Sequence, residues 1–361
     1  MPISAMDCIT LAFEHTKRQL FKPFRFGQWI RLAIVGLLAG ELGSGGNLNL
    51  QSPPAQPQSG AQIPAIADIF HKIDPAILAS VITVLVITGL VLFILMAFVS
   101  SVMRFVLFDS VLTRECHLRA GWSRRQDNGW KYFLWQMGLI LATFAAAVIL
   151  IGGPAAFAFG MGWFHPWRAH LVQLVLTGLA VMVLFVTFMI ALALVHVLTK
   201  DFVVPQMAFE GIGALEAWRR LWPMIEGEIK GYAVYIVMKI VLTIVAGIAI
   251  GIVGVILGLI LAVPVIAMVA AVVVAGKSAG LAWNVFTIAA AVLAGCVVFL
   301  IFFFLISLIT VPVMVFFPAY SIYFFAGRYR PLYAALYAPA TSASVPQGVS
   351  PPFTPPPLPA T

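Results

Sequence analysis

Long apolar runs separated by short basic segments set the pattern of this chain. Residues 76–103 and 171–199 contain no Asp, Glu, Lys or Arg. A helix needs about 20 apolar residues to cross a hydrocarbon core, so both runs predict membrane spans. A large globular core would not gather its apolar residues into such runs. Further spans are predicted over Tyr132–Gly152 and Phe286–Phe317, with Pro312 and Pro318 near the inner end of the latter. The first span, Gly27–Leu42, is short. At about 1.5 Å per residue it reaches about 24 Å, less than the roughly 30 Å of hydrocarbon. It draws on flanking residues, with Arg31 snorkelling to the surface.

Residues 231–275 carry one charge, Lys239, and are long enough for two spans. Pro264 and the glycines are candidate breaks. The expected fold is an all-α integral membrane protein with about six transmembrane helices. They form three helical hairpins joined by amphipathic cytoplasmic interface helices, the membrane domain running over 27–338. Residues 258–276 are expected to re-enter the membrane or lie at its interface; a seventh span there is the alternative.

The connecting segments differ in character. Residues 1–26 are amphipathic and basic, with Lys17, Arg18, Lys22 and Arg25 among Leu20, Phe21, Phe24 and Phe26, and read as a helix at the membrane surface. Residues 43–64 are mostly Gly, Pro, Gln and Ser and read as a flexible outer loop. Residues 339–361 form a Pro-rich, extended tail. A two-span unit recurs three times in order. Two of its cytoplasmic segments share a local pattern, Ile3-Ser-Ala5-Met6-Asp7-Cys8 and Ile212-Gly-Ala214-Leu215-Glu216-Ala217. Such connectors are also common to any hairpin protein.

Charge orients the array. The segments through Arg31, Arg104–Lys131, Lys200–Lys230 and Arg328–Arg330 hold seventeen Lys and Arg; the opposite side holds three, Lys72, Arg168 and Lys277. The positive-inside rule makes the basic side, with both termini, cytoplasmic, and the compartment the inner (plasma) membrane. A seventh span changes the count only to sixteen against four. The net charge of +8 therefore follows topology, and nucleic acid is not an expected partner. With 62% hydrophobic and 9% charged residues the chain lies far from soluble composition. No A-x-A site follows the first run, so that run reads as an uncleaved anchor. Cys8, Cys116 and Cys296 give no disulfide framework and read as small apolar fillers.

The most specific stretch is 202–222, FVVPQMAFEGIGALEAWRRLW. A span ends at Pro205, which lacks an N–H and ends or redirects a helix. Glu210, Gly211 and Gly213 make a turn. An amphipathic helix follows, placing Leu215, Trp218, Leu221 and Trp222 toward lipid and Arg219 or Arg220 toward phosphates. This element resembles the span–turn–helix of the membrane domain attached to some glycerophosphoryl diester phosphodiesterases. It is also similar to related uncharacterised bacterial and archaeal multi-pass proteins. The resemblance implies an all-helical membrane domain. It does not imply phosphodiesterase activity, because the soluble catalytic domain has no counterpart here.

Candidate chemistry is sparse. No H-E-x-x-H, P-loop or G-x-S-x-G motif is present. His165 and His170 share an outer loop without carboxylates, and Trp163 and Trp167 beside them suit the interface belt. Cys116 and His117 lack companions for a metal site. No catalytic, cofactor or metal residue is expected. Lys239 is the candidate intramembrane polar site. Either its stem reaches the interface, or it pairs with a carboxylate such as Asp109 or Asp201, or it lines a hydrophilic path. Glu41 reads as an outer interface residue. Gly247, Gly251, Gly254 and Gly258 form one small-residue face for helix packing, within the chain by default. The expected partners are membrane lipids and a possible protein docking on the Pro-rich tail, for which an unpartnered end is the plain alternative. These features predict a non-enzymatic membrane protein that organises lipids or partner proteins. The alternative is a small-molecule or ion transporter or channel, and a lipid-modifying enzyme ranks last.

Overall fold

A computed structural model of the chain describes residues 4–22, 24–41, 75–163, 167–278 and 285–337. These residues are helices and their connections, with no strand among them. The helices are α1 (Asp7–Phe21), α2 (Phe26–Leu38), α3 (Pro75–Thr113), α4 (Leu118–Gly160) and α5 (Leu171–Leu198). A π-helical turn, Thr199–Val203, carries α5 into α6 (Val204–Glu210). Then come α7 (Ala214–Gly227), α8 (Ile229–Ser278), α9 (Val285–Ala326) and α10 (Arg330–Tyr337).

Five segments are long and apolar enough to cross a membrane: Ala79–Thr113, Leu118–Gly160, Arg168–Glu210, Ile229–Ala267 and Leu293–Ala326. Their flanks turn apolar side chains outward; Leu141 is 70% exposed, Phe144 67% and Ile149 72%. Apolar surface on this scale needs lipid as its solvent. The protein is an all-α, multi-pass membrane protein. The first predicted span, Gly27–Leu42, corresponds to α2, a 13-residue helix. α2 ends beside Arg104, whose Nη2 donates to Ala39 O at 3.3 Å, and begins beside Arg114, whose carbonyl accepts from Gln28 Nε2 at 2.6 Å. It therefore covers only the last part of α3.

The core gathers at one end of the array. There α1, α2, the C-terminal part of α3, the π-turn, the inner face of α7, the start of α8, the end of α9 and Leu332 form one buried cluster. The close packing of α3 on α4 needs glycine: a Cβ at Gly129 would lie 3.0 Å from Val102 Cα. Aromatic rings fill the centre, with Tyr235 stacked on Tyr320 at 5.0 Å and Phe202 set between Tyr235 at 5.1 Å and Phe325 at 5.2 Å.

α1 is amphipathic as expected, but its apolar face is packed on protein rather than laid on lipid. Cys8, Ala12, His15, Thr16, Gln19 and Leu20 are buried, mainly against α9. Its polar side chains serve the end of α3, where carbonyls lack intrahelical donors. Gln19 Nε2 donates to Ser110 O at 2.9 Å and His15 Nε2 to Val111 O at 2.9 Å. The other His15 nitrogen then accepts from the Tyr323 hydroxyl at 3.1 Å, which fixes a neutral tautomer. On the opposite side, Pro312 cannot donate to Leu308 O, and the Trp29 indole N–H fills that vacancy at 2.8 Å.

Burial, assisted by the charges of Arg114 and Arg18, pushes the His15 imidazole down to about 4 from its ordinary 6.5. A base with a depressed folded pKa binds protons in the unfolded chain first. Its contribution is complete above pH 6.5 and is lost as the pH falls toward 4. The loss expected is about 3 kcal/mol. Thermal unfolding in detergent between pH 7.5 and 4.5 checks this: His15→Gln should flatten the acid-side slope relative to wild type, and parallel curves would refute it.

Several expectations need correction. Residues 258–276 are not a separate re-entrant or interfacial segment, because α8 continues unbroken through Pro264 to Ser278. In an apolar environment unpaired backbone groups are costly, so glycines and a single proline do not stop the helix. Pro205 does not end its span either; it sits in the first turn of α6, after the π-turn. The glycine face of α8 is not a tight intramolecular seam among the described residues. A Cβ at Gly251 or Gly254 would meet nothing within 4 Å, and at Gly258 only Phe302 at 3.9 Å. Gly247 lies on the same helix and is partly exposed. The 43–64 loop, His165 and the 339–361 tail lie outside the described residues.

Candidate functional site

The π-turn positions the site. Pro205 offers no N–H to the carbonyl of Asp201 and its ring crowds that carbonyl. The chain widens instead, and Val204 N–H bonds Thr199 O five residues back. Four consecutive side chains then reach four different places. Thr199 Oγ1 accepts from Trp218 Nε1 of α7 at 3.1 Å. Lys200 Nζ donates to Glu41 Oε2, just beyond α2. Asp201 Oδ2 accepts from Lys239 Nζ, and from Tyr235 OH at 2.9 Å. Phe202 enters the aromatic core.

Tyr235 and Lys239 stand one helical turn apart, so one face of α8 presents both donors to one carboxylate. Asp201 and Glu41 are almost completely buried. Lys239 therefore does not snorkel; of the two carboxylates considered for it, it takes Asp201. Asp109 belongs to Arg125, which grips it through Nε at 2.6 Å and Nη2 at 2.7 Å. Nor is Glu41 an interface residue: it is buried against Lys200.

Arg104 completes the cluster. It is 9% exposed and donates to the Tyr132 hydroxyl and the Ala39 carbonyl. Both acceptors are neutral. The ion pairs of Glu41 and Asp201 go to Lys200 and Lys239 instead.

Above this cluster opens a cavity of about 1220 Å³, between α4, α5 and α8. Its floor carries Arg104, Lys200 and Lys239 with Gln136 and His196. Its walls are apolar, including Ile140, Phe144, Ile190, Ile240 and Ile244. All the charged side chains lining it are cationic. Glu41 and Asp201 stand behind them, beside a separate void of about 30 Å³ shared with Arg104 and Lys200. That void is large enough for one water.

The turn element 205–220 braces the floor from below. Gly211 takes the left-handed conformation, φ 66°, and closes α6 through its N–H to Met207 O at 3.0 Å. Gly213 is extended and stands at the N-terminus of α7, so only Gly211 needs its glycine for the turn. Glu210 accepts from Arg220 and from Tyr329 OH at 2.5 Å. Arg220 is thus committed to Glu210 and Glu216, while Arg219 is 81% exposed. Only half of the supposed lipid face of α7 faces outward. Leu215 and Trp222 are exposed, but Leu221 is fully buried and Trp218 is bonded to Thr199.

Sequence reasoning missed Glu41, Lys200 and Arg104. A signal existed for Lys200 and Asp201, an adjacent opposite-charge pair directly after a 28-residue apolar helix. Nothing local marks Glu41. Among the described residues no group of three or more His, Cys, Asp or Glu converges as a metal site. No curated protein matches this chain. No solved structure matches it. A family model described as "Family of unknown function (DUF7544)" matches residues 3–334, nearly the whole chain, and the protein belongs to that family.

Proposed function

We propose that this protein is a non-enzymatic, lipid-handling membrane protein that holds one membrane amphiphile in the cavity between α4, α5 and α8. The observation that carries this reading is the division of that cavity into apolar walls and a polar floor. Apolar walls suit hydrocarbon chains, and a few convergent polar groups fix a headgroup's position. The basic, gathered end with the N-terminal helices is the cytoplasmic side of an inner (plasma) membrane, supported by its excess of Lys and Arg. The resemblance of residues 202–222 to the membrane domain of phosphodiesterases is consistent with a scaffold that works at lipid without hydrolysing it.

Native mass spectrometry of the full chain, released from nanodiscs, tests this. One tightly held lipid per protein is expected. Ala147→Phe and Ala193→Phe, which fill the cavity, should abolish its retention and leave the melting temperature within a few degrees of wild type. Retention unaffected by both substitutions would overturn the reading. So would solute flux in liposomes that Lys239→Leu abolishes, which would make the protein a transporter.

A further inference from the structure

The geometry points to an anionic, phosphate-headed lipid as the cavity's ligand, its phosphate seated on Arg104 and flanked by Lys200 and Lys239. This rests on the amphiphile-binding reading and deepens it.

Three observations converge. The first is Arg104 itself. It is more than nine-tenths buried, lines the cavity and has only neutral hydrogen-bond acceptors. Its Nε has no partner among the described residues. Glu41 and Asp201 border the small void beside Arg104, yet its hydrogen bonds go to neutral acceptors, and an anion in the cavity would bond the guanidinium directly. The second is the arrangement of the lysines. Lys200 and Lys239 line the same cavity, while their carboxylates, Glu41 and Asp201, approach from behind. The carboxylates hold the ammonium groups in place and leave the cavity side to cations. Among the described residues, three cations against two carboxylates leave one positive charge for the occupant to neutralise. The third is chemical fit. A guanidinium presents a planar fork that matches phosphate oxygens, and ammonium groups add point charges beside it. The isoleucines above the floor accept the acyl chains.

The alternatives fit less well. A zwitterionic lipid would bring its own cation into a floor already carrying three. A free inorganic anion would use the floor and leave the apolar walls unfilled.

The test is a competition on the full-length protein by native mass spectrometry, using phosphatidylglycerol and phosphatidylcholine with identical acyl chains. Phosphatidylglycerol should be retained about tenfold or more over phosphatidylcholine, the effect of one charge-assisted contact. Two variants probe the floor. Arg104→Gln should erase the preference, and Arg104→Lys should keep part of it. Because Arg104→Gln also disturbs the core, Gln136→Glu is the second arm. It is isosteric and places a carboxylate in the same cavity. It should raise the melting temperature by adding a carboxylate to a floor of three cations, and reduce phosphatidylglycerol retention about tenfold.

Equal retention of both lipids, unchanged by Gln136→Glu, overturns the headgroup assignment and leaves the cavity reading standing. Retention of neither overturns both. Stabilisation by inorganic phosphate alone equal to that by phosphatidylglycerol overturns the lipid assignment in favour of a free anion.

Discussion

Asp201→Asn should destabilise the protein by about 3 kcal/mol or more, one of the two largest effects expected of any single substitution described here. The carboxylate holds Lys239 through an ion pair and Tyr235 through a 2.9 Å hydrogen bond, and is almost completely buried. The amide keeps the shape but cancels the charge, leaving the Lys239 ammonium with nothing opposite it. Burying two charges is itself expensive, so removing both partners should cost much less than removing one. Asp201→Leu combined with Lys239→Met should therefore recover most of the loss, apart from about 1 kcal/mol for the orphaned Tyr235 hydroxyl. Unfolding in mixed micelles gives the four corners of the double-mutant cycle. A coupling of about 2 kcal/mol or more is expected; additivity within about 0.5 kcal/mol would mean that the pair is solvated and that this description of the site is wrong.

The second large effect is expected at Arg125. Its side chain binds Asp109 bidentately and donates through Nη1 to Ala208 O at 2.6 Å. Asn128 Nδ2 reaches Met207 O at 3.2 Å and Lys131 Nζ reaches Gly211 O at 2.5 Å. Three side chains on one face of α4 thus cap the closing turn of α6, adding to the Gly211 N–H that serves Met207 O. Arg125→Ala should cost about 3 kcal/mol, since it strands a largely buried carboxylate and a carbonyl together. Arg125→Lys keeps the charge but not the fork and should recover less than half. Protease sensitivity separates this from general loosening: the first new cleavage should fall near 208–213. A first cut elsewhere, with the 208–213 turn still protected, would show that Arg125 is not its brace.

The five long spans were legible because an apolar run of such length has only one solvent that suits it. What surrounds them was legible only in part. α1 was recognisable as amphipathic, but the pattern that marks a helix lying on lipid also marks one lying on protein. The buried His15 and Gln19 choose between them, through carbonyls 96 and 91 residues away. Lys239 was singled out correctly as unusual, and Asp201 was among its candidate partners. Glu41 was misread because its partner lies 159 residues on, and no local feature separates a buried terminal carboxylate from an exposed one. A proline breaks a regular helix, so the sequence leaves open whether the helix ends or is redirected at Pro205. The π-turn accommodates it by giving up one regular turn, and that irregularity turns Asp201 inward. On the glycine face of α8, a Cβ at Gly251 or Gly254 would meet no close neighbour among the described residues.

The two N-terminal helices have a further consequence, for biosynthesis. His15 is completed by Tyr323, 308 residues later, Trp29 by Leu308, 279 later, and Glu41 by Lys200. At about 5–20 residues per second, the ribosome takes roughly 15–60 s to reach Tyr323 and Leu308, and roughly 8–32 s to reach Lys200. During that interval α1 and α2 have only the end of α3 to pack against, because α9 has not been made. Docking of α1 and α2 on α9 is therefore expected late in synthesis, from the distance between these contacts along the chain.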